Sequence, residues 1–153
     1  MSLTRGQLYE AMAGLGAYAS KTVTFAGGTT NDIGDFDGTG NPATLFTVTG
    51  TVIVKLFATV NTDLAGATAT LRVGTALSNA SLIASTTATD IDQNEIWHDA
   101  TPDASVELWT VATEKIVKQD IIQTAGTANI TSGSITYHCI WKPISSDGNV
   151  EAA

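Results

Sequence analysis

Cysteine is almost missing from this chain, and charge is sparse. The single thiol, Cys139, has no second cysteine to pair with, which excludes the disulfide-stapled solution of small secreted domains. Charged residues supply only 14% of the sequence. Basic ones are the scarcest: 7 Lys and Arg, scattered along the chain, stand against 15 Asp and Glu, for a formal net charge of −8. A surface of that sign repels phosphate, so nucleic acid is not an expected partner. Long hydrophobic runs are absent as well. The most apolar stretch, TVIVKLFATV, is too short to cross a bilayer and carries Lys55 in its middle. The opening MSLTRGQLYEAMAG lacks the basic start and continuous apolar core of a signal peptide. The expectation is a soluble protein made in the cytoplasm, without a membrane partner.

Threonine fills the place that charge leaves, with 25 residues. It is β-branched and suits a pleated, half-buried surface, so composition leans toward strands. A chain of 153 residues is long enough for one well-buried core and too short for two comfortable domains.

The first element is an exception to the β pattern. In TRGQLYEAMAGLG, Thr4 and Gln7 have the spacing of a capping box, and Leu8, Met12 and Leu15 fall on one helical face. The spacing predicts a short amphipathic helix ending near Gly14 or Gly16. It either packs on its own domain or docks as an arm on a neighbour. The period then changes from 3.6 to 2. KTVTF reads as a first strand. From Thr44 to Val60 the even positions are Phe46, Val48, Gly50, Val52, Val54, Leu56, Ala58 and Val60, against mostly threonine and Lys55 on the odd ones. That is one buried face and one wet face, with Gly50 marking a bulge or a bend that divides the run. Further strands are expected in ATATLRV, SLIASTT, EIWH, VELWTV, KQDIIQT and GSITYHCIW, the last with Ile135, Tyr137, Cys139 and Trp141 on one face. Residues 112–118 have a helical turn as their alternative. About eight short strands separated by turns imply two packed antiparallel sheets. The expected fold is therefore all-β, an antiparallel β-sandwich of jelly-roll-like form. Its organisation is a helix or arm at 1–20, a β-domain at 21–144 and a mobile tail at 145–153.

Two segments advertise chemistry. NDIGDFDGTGN, at 31–41, resembles a calcium loop when Gly38 is set on the loop's required glycine, which places Asp35 and Asp37 correctly. Ile33 and Thr44 then occupy the positions of the first carboxylate and the closing glutamate. An irregular cage of Asp32, Asp35, Asp37 and Asn41 is the remaining way to hold calcium, and acidic turn chemistry is the preferred reading. The second segment, TDIDQNEIWHDATPD, gathers Asp90, Asp92, Glu95, His98, Asp99 and Asp103. It reads as a solvated loop flanking a strand rather than a metal or base site. Trp97, beside His98 in an acidic segment, is the candidate for stacking on a glycan, against the ordinary reading of a core tryptophan. No G-x-S-x-G elbow or glycine-rich phosphate loop is present, and nothing selects a pair of carboxylates for glycoside hydrolysis. The expectation is a protein that is not an enzyme and has no cofactor.

The segments NPATLFTVTGTVIVKLFATVNTDLAGATATLRVGTA, LIASTTATDIDQNEIWHDATPDASVE and DIIQTAGTANITSGSITYHCIWKPISSDGNV, in that order, resemble small structural proteins of tailed bacteriophages. The resemblance implies a virion component, a head decoration or head-fibre-type protein working as a homotrimer on the major capsid protein or another virion protein. It supplies no catalytic residues. A neck or tail component and a glycan-binding β-module are the alternatives. For assembly, Ile53 and Phe57 on the polar face are the expected oligomer contacts, and Leu8, Met12 and Leu15 the expected attachment to a neighbour or the shell.

Overall fold

The structure is a computed structural model that describes Arg5 and residues 16–28, 31–103 and 114–153. Within these residues the chain forms ten strands and a single 3-10 turn at Ala88–Asp90. The strands are β1 (Ala17–Thr24), β2 (Ala43–Thr49), β3 (Val52–Ala65), β4 (Thr70–Gly74), β5 (Ile83–Thr87), β6 (Ile96–Trp97), β7 (Lys115–Val117), β8 (Ile121–Gly126), β9 (Ser132–Pro143) and β10 (Asn149–Ala152). They build two antiparallel sheets of five strands each. The first runs β1-β9-β3, with β6 and β7 both on the far side of β3; the second runs β10-β2-β8-β4-β5.

The alternation in the sequence is what sorts the side chains. Along β3, Val52, Val54, Leu56, Ala58 and Val60 are buried, and on β9 so are Ile135, Tyr137, Cys139 and Trp141. These meet Leu45, Phe46, Leu71 and Ile121 from the second sheet in one continuous core. Burying a side chain of this size stabilises the fold by about 1.5–3 kcal/mol. Cys139 is part of that packing, and burial pushes its thiol up to about 12, so it behaves as a small apolar group.

Gly50 divides the Thr44–Val60 run as its position suggested. It adopts a left-handed backbone (φ +62°) and passes the chain from β2 in the second sheet to β3 in the first. A Cβ there would run into the side chains of Ser145 and Asp147. The bulge itself falls elsewhere: pairing of β2 with β8 slips between Thr44 and Phe46, which turns both Leu45 and Phe46 inward.

Three boundaries differ from expectation. The arm expected at 1–20 gives way to β1 at Ala17, which pairs with β9 along its whole length. Residues 145–153 are not a free tail, because β10 pairs with β2 and Val150 is buried against it. Lys115–Val117 is a strand on β3 rather than part of a helical turn, since Ile116 pairs with Ile53. The expected helix with Leu8, Met12 and Leu15, and the strand expected at VELWTV with Trp109, lie outside the described residues.

Candidate functional site

The acidic loop at 31–41 is held by its own polar side chains. Asn41 lies alongside Ala125 like an extra strand residue: Ala125 N–H donates to Asn41 Oδ1 at 2.9 Å, and Asn41 Nδ2 donates back to Ala125 O at 2.8 Å. The same Nδ2 donates to Phe36 O at 2.7 Å, while Phe36 N–H donates to Asn129 Oδ1 at 3.1 Å. Ile130 N–H donates to Gly34 O and Ala26 N–H to Ile33 O. Asp35 turns inward, only 3% exposed, and accepts from Asp37 N–H at 3.4 Å. Burial holds its carboxyl above the usual carboxylate range, and the neighbouring Asp37 and Asp32 add to the effect.

Of the four expected calcium ligands, then, Asp35 points into the protein, Asn41 has its amide oxygen on a backbone N–H, Asp37 is exposed, and Asp32 is half-buried with its backbone carbonyl accepting from Asp35 N–H. Among the described residues no three His, Cys, Asp or Glu side chains group as a metal-holding set.

The second acidic segment is also built into the fold. His98 is almost buried, with Nε2 3.0 Å from Asp103 Oδ2 and Nδ1 3.8 Å from Asp99 Oδ2. Asp99 Oδ1 accepts from Thr101 N–H and Glu95 Oε2 from Asp92 N–H, so these carboxylates cap turns. Asp90, Asp92 and Asp99 are exposed in turns and loops flanking β6, as expected of a solvated segment, and the departure is His98, which is drawn inward onto Asp103. The glycan-stacking assignment of Trp97 is corrected outright. Its ring is fully buried against Tyr137, and its Nε1 donates to Thr86 Oγ1 at 2.9 Å. Position 97 shares its strand face with the core because its Cα partner is Ala58, an inward residue of β3.

The outer face of the first sheet brings the two expected contact residues together with others that were missed. Phe57 pairs with His138 and Ile53 with Lys142 across β3 and β9, and Tyr18 of β1 pairs with Ile140. His138 sits at the centre. Phe57 stacks on its ring at 4.9 Å between centroids, and Tyr18 at 6.0 Å. Tyr18 Oη lies 2.7 Å from its Nδ1 and Thr59 Oγ1 2.9 Å from its Nε2. Burial lowers the pKa of His138 below the ordinary histidine value, so the neutral ring is favoured. Tyr18 is 60% exposed in spite of its size, and Ile53, Phe57 and Ile140 are half-buried. Strand parity alone could have found His138 and Ile140, since they alternate with the inward Tyr137, Cys139 and Trp141.

At the end of the molecule where β3 begins, an open groove of about 470 Å³ lies between the β4–β5 turn and the β7–β8 segment. Leu77, Leu82, Ile116 and Val117 give it apolar walls, and Lys115 and Lys118 stand beside them, both exposed.

No family model, no curated protein and no solved structure matches this chain.

Proposed function

We propose that this chain is a non-enzymatic structural component of a tailed-phage virion, a capsid-associated decoration or head-fibre-type protein that acts by symmetric self-assembly and docking on the shell. In this reading the two sheets form a jelly-roll-like sandwich. A helix displaying Leu8, Met12 and Leu15 reaches the major capsid protein or another virion protein, and trimers are the favoured assembly.

The observation that supports it best is the outer face of the first sheet. Ile53 and Phe57 lie there beside Tyr18, His138 and Ile140, a large part-exposed aromatic and aliphatic surface on a five-stranded sheet. Surfaces of this kind mark sites of association. A neck or tail component would use the same face, and the location on the particle separates the two. The glycan-binding alternative loses its stacking residue with the burial of Trp97.

Light scattering after gel filtration tests the assembly. The wild type is expected to be a stable oligomer and Phe57→Glu to lower its mass, while a strict monomer at micromolar concentration that also fails to bind heads would sink the proposal. Electron microscopy of particles labelled with antibody to this chain then places it on head, neck or tail.

A further inference from the structure

Phe36 is a large apolar residue held out in water. It is 40% exposed, yet its backbone is fixed on both sides, by Asn129 on its N–H and by Asn41 on its carbonyl. Asn41 is itself clamped to Ala125. Gly34 (φ +108°) seats the loop so closely on the body that a Cβ there would strike Ile130 O. A loop pinned in this way displays its aromatic without an ordering cost at the moment of contact. Exposed Asp37 follows Phe36 directly.

The groove at the other end has the complementary character. Leu77 is 88% and Ile116 68% exposed, and Leu77 N–H donates to Gln119 Oε1 at 3.2 Å, tying one wall to the other. Lys115 and Lys118, two of only 7 basic residues in a chain of net charge −8, border this apolar surface. Its volume, about 470 Å³, lies in the range of pockets that enclose a ring-bearing group.

The two features occupy opposite ends of the long strand β3. The loop binds Ile130 and Ala26, next to Thr131, whose N–H donates to Ala65 O. The groove includes Val117, the partner of Val52. Residues 52 to 65 of an extended strand span about 40 Å, so a copy cannot fill its own groove.

We propose that the groove takes the acidic loop of a second copy of this chain: Phe36 of one copy enters between Leu77 and Ile116 of the next, with Asp37 facing Lys115 and Lys118. This contact rests on the reading that the protein assembles with itself, and adds to it a joint of a different kind. Its two surfaces are not alike, so it is heterologous. Such a joint closes into a ring or propagates as a filament according to the angle between copies, and repetition gives a modest contact high avidity. The ion pairs at its rim are solvent-exposed and weaken with salt.

Cysteine cross-linking of the full chain tests the joint. Asp37→Cys and Ser78→Cys are made separately, both at exposed positions beside the inserted ring, with Phe36, Leu77 and Ile116 left in place and native Cys139 buried and inert. Under mild oxidation the equimolar mixture is expected to give a mixed disulfide dimer at least tenfold faster than Asp37→Cys with Ile144→Cys, an exposed control outside the groove. Phe36→Ala in the Asp37→Cys chain is expected to return the rate to that of the control. Mixed cross-linking no faster than the control overturns the joint. If light scattering still shows an oligomer in that case, self-assembly stands and only the joint falls; if the wild type is then a monomer, both fall. Specific cross-linking with a mass unchanged by Phe57→Glu keeps the joint and removes the outer face from the assembly.

Discussion

Tyr137 and Gln123 offer a quantitative test of how the two sheets are held together. Tyr137 is on β9 of the first sheet and Gln123 on β8 of the second, and the phenol donates to Gln123 Oε1 at 2.8 Å inside the core. Tyr137 is fully buried and Gln123 is 2% exposed, so water cannot replace either partner. Burial also raises the phenol pKa, which keeps the hydroxyl protonated as the donor. Tyr137→Phe removes the donor with little change of shape and strands a buried carbonyl oxygen, a change that costs about 1–3 kcal/mol. At roughly 2–4 °C per kcal/mol for a chain of this size, Tm falls by roughly 2–12 °C. Removing both polar groups, in Tyr137→Phe with Gln123→Met, leaves nothing stranded and is expected to cost less than the two single changes added together. Urea unfolding and calorimetry of the four proteins measure the cycle. A loss below about 0.5 kcal/mol in Tyr137→Phe, the level of an ordinary surface change, would show that the bond does not span the core as described. Strict additivity in the double variant would show the same.

Two further changes follow from the corrected sites. Trp97→Ala removes a fully buried ring and the donor to Thr86, and is expected to cost about 3–5 kcal/mol in urea unfolding; an exposed glycan-stacking tryptophan would cost almost nothing, and that result would restore the original assignment. Asp35 has its folded pKa raised by burial, so its contribution to stability is full below the ordinary carboxylate pKa and is lost as pH rises through the higher folded value. Asp35→Asn keeps an acceptor for Asp37 N–H and is expected to raise Tm at pH 7 while narrowing the difference between pH 4 and pH 7. A variant less stable than wild type by the same amount at both pH values would refute a buried, disfavoured charge.

Much of the fold was legible because burial in a strand obeys period 2. The inward rows of β3 and β9 were readable from Val52, Val54, Leu56, Ala58 and Val60 and from Ile135, Tyr137, Cys139 and Trp141 at every second position, and Gly50 announced the break between β2 and β3. What parity could not supply was sheet membership. That Gly50 carries the chain across the core, rather than along one sheet, depends on which distant strands pair. The bulge at Leu45 escaped for a related reason, since an added residue shifts parity without leaving a mark in composition. The C-terminal segment escaped because SSDGNVEAA has a single large apolar residue, Val150, and its strand is fixed by pairing with β2. The sites follow the same division. The loop's turn chemistry could be read from its Asp and Gly content, but Asn41 bridging to Ala125 is a contact between residues 84 apart. His98 looked solvated among acids for want of any signal that Asp103 would pair back to Ile96.

The edges of the two sheets bear on how copies of such a protein can meet. An exposed, regular edge strand invites backbone pairing with another chain. Here β1 turns Lys21 inward, where its Nζ donates to Thr44 O and Ala153 O. The far side of β3 carries only the two residues of β6 and the three of β7 among the described residues, and β10 has four. The other outer strand, β5, pairs with β4 through a register slip between Leu71 and Val73. Short strands, a slip and an inward charge each blunt strand addition. Under the proposed self-assembly, contact between copies is therefore left to side chains on sheet faces and at the ends. Among the described residues the large exposed apolar groups stand in those places: Tyr18 on the outer face, Phe36 at one end, and Leu77, Ile116 and Ile144 at the other. Contacts made by side chains saturate when their partner surface is filled, whereas an open edge keeps adding strands. The proposed assembly to a fixed size would draw on the first kind and be spoiled by the second.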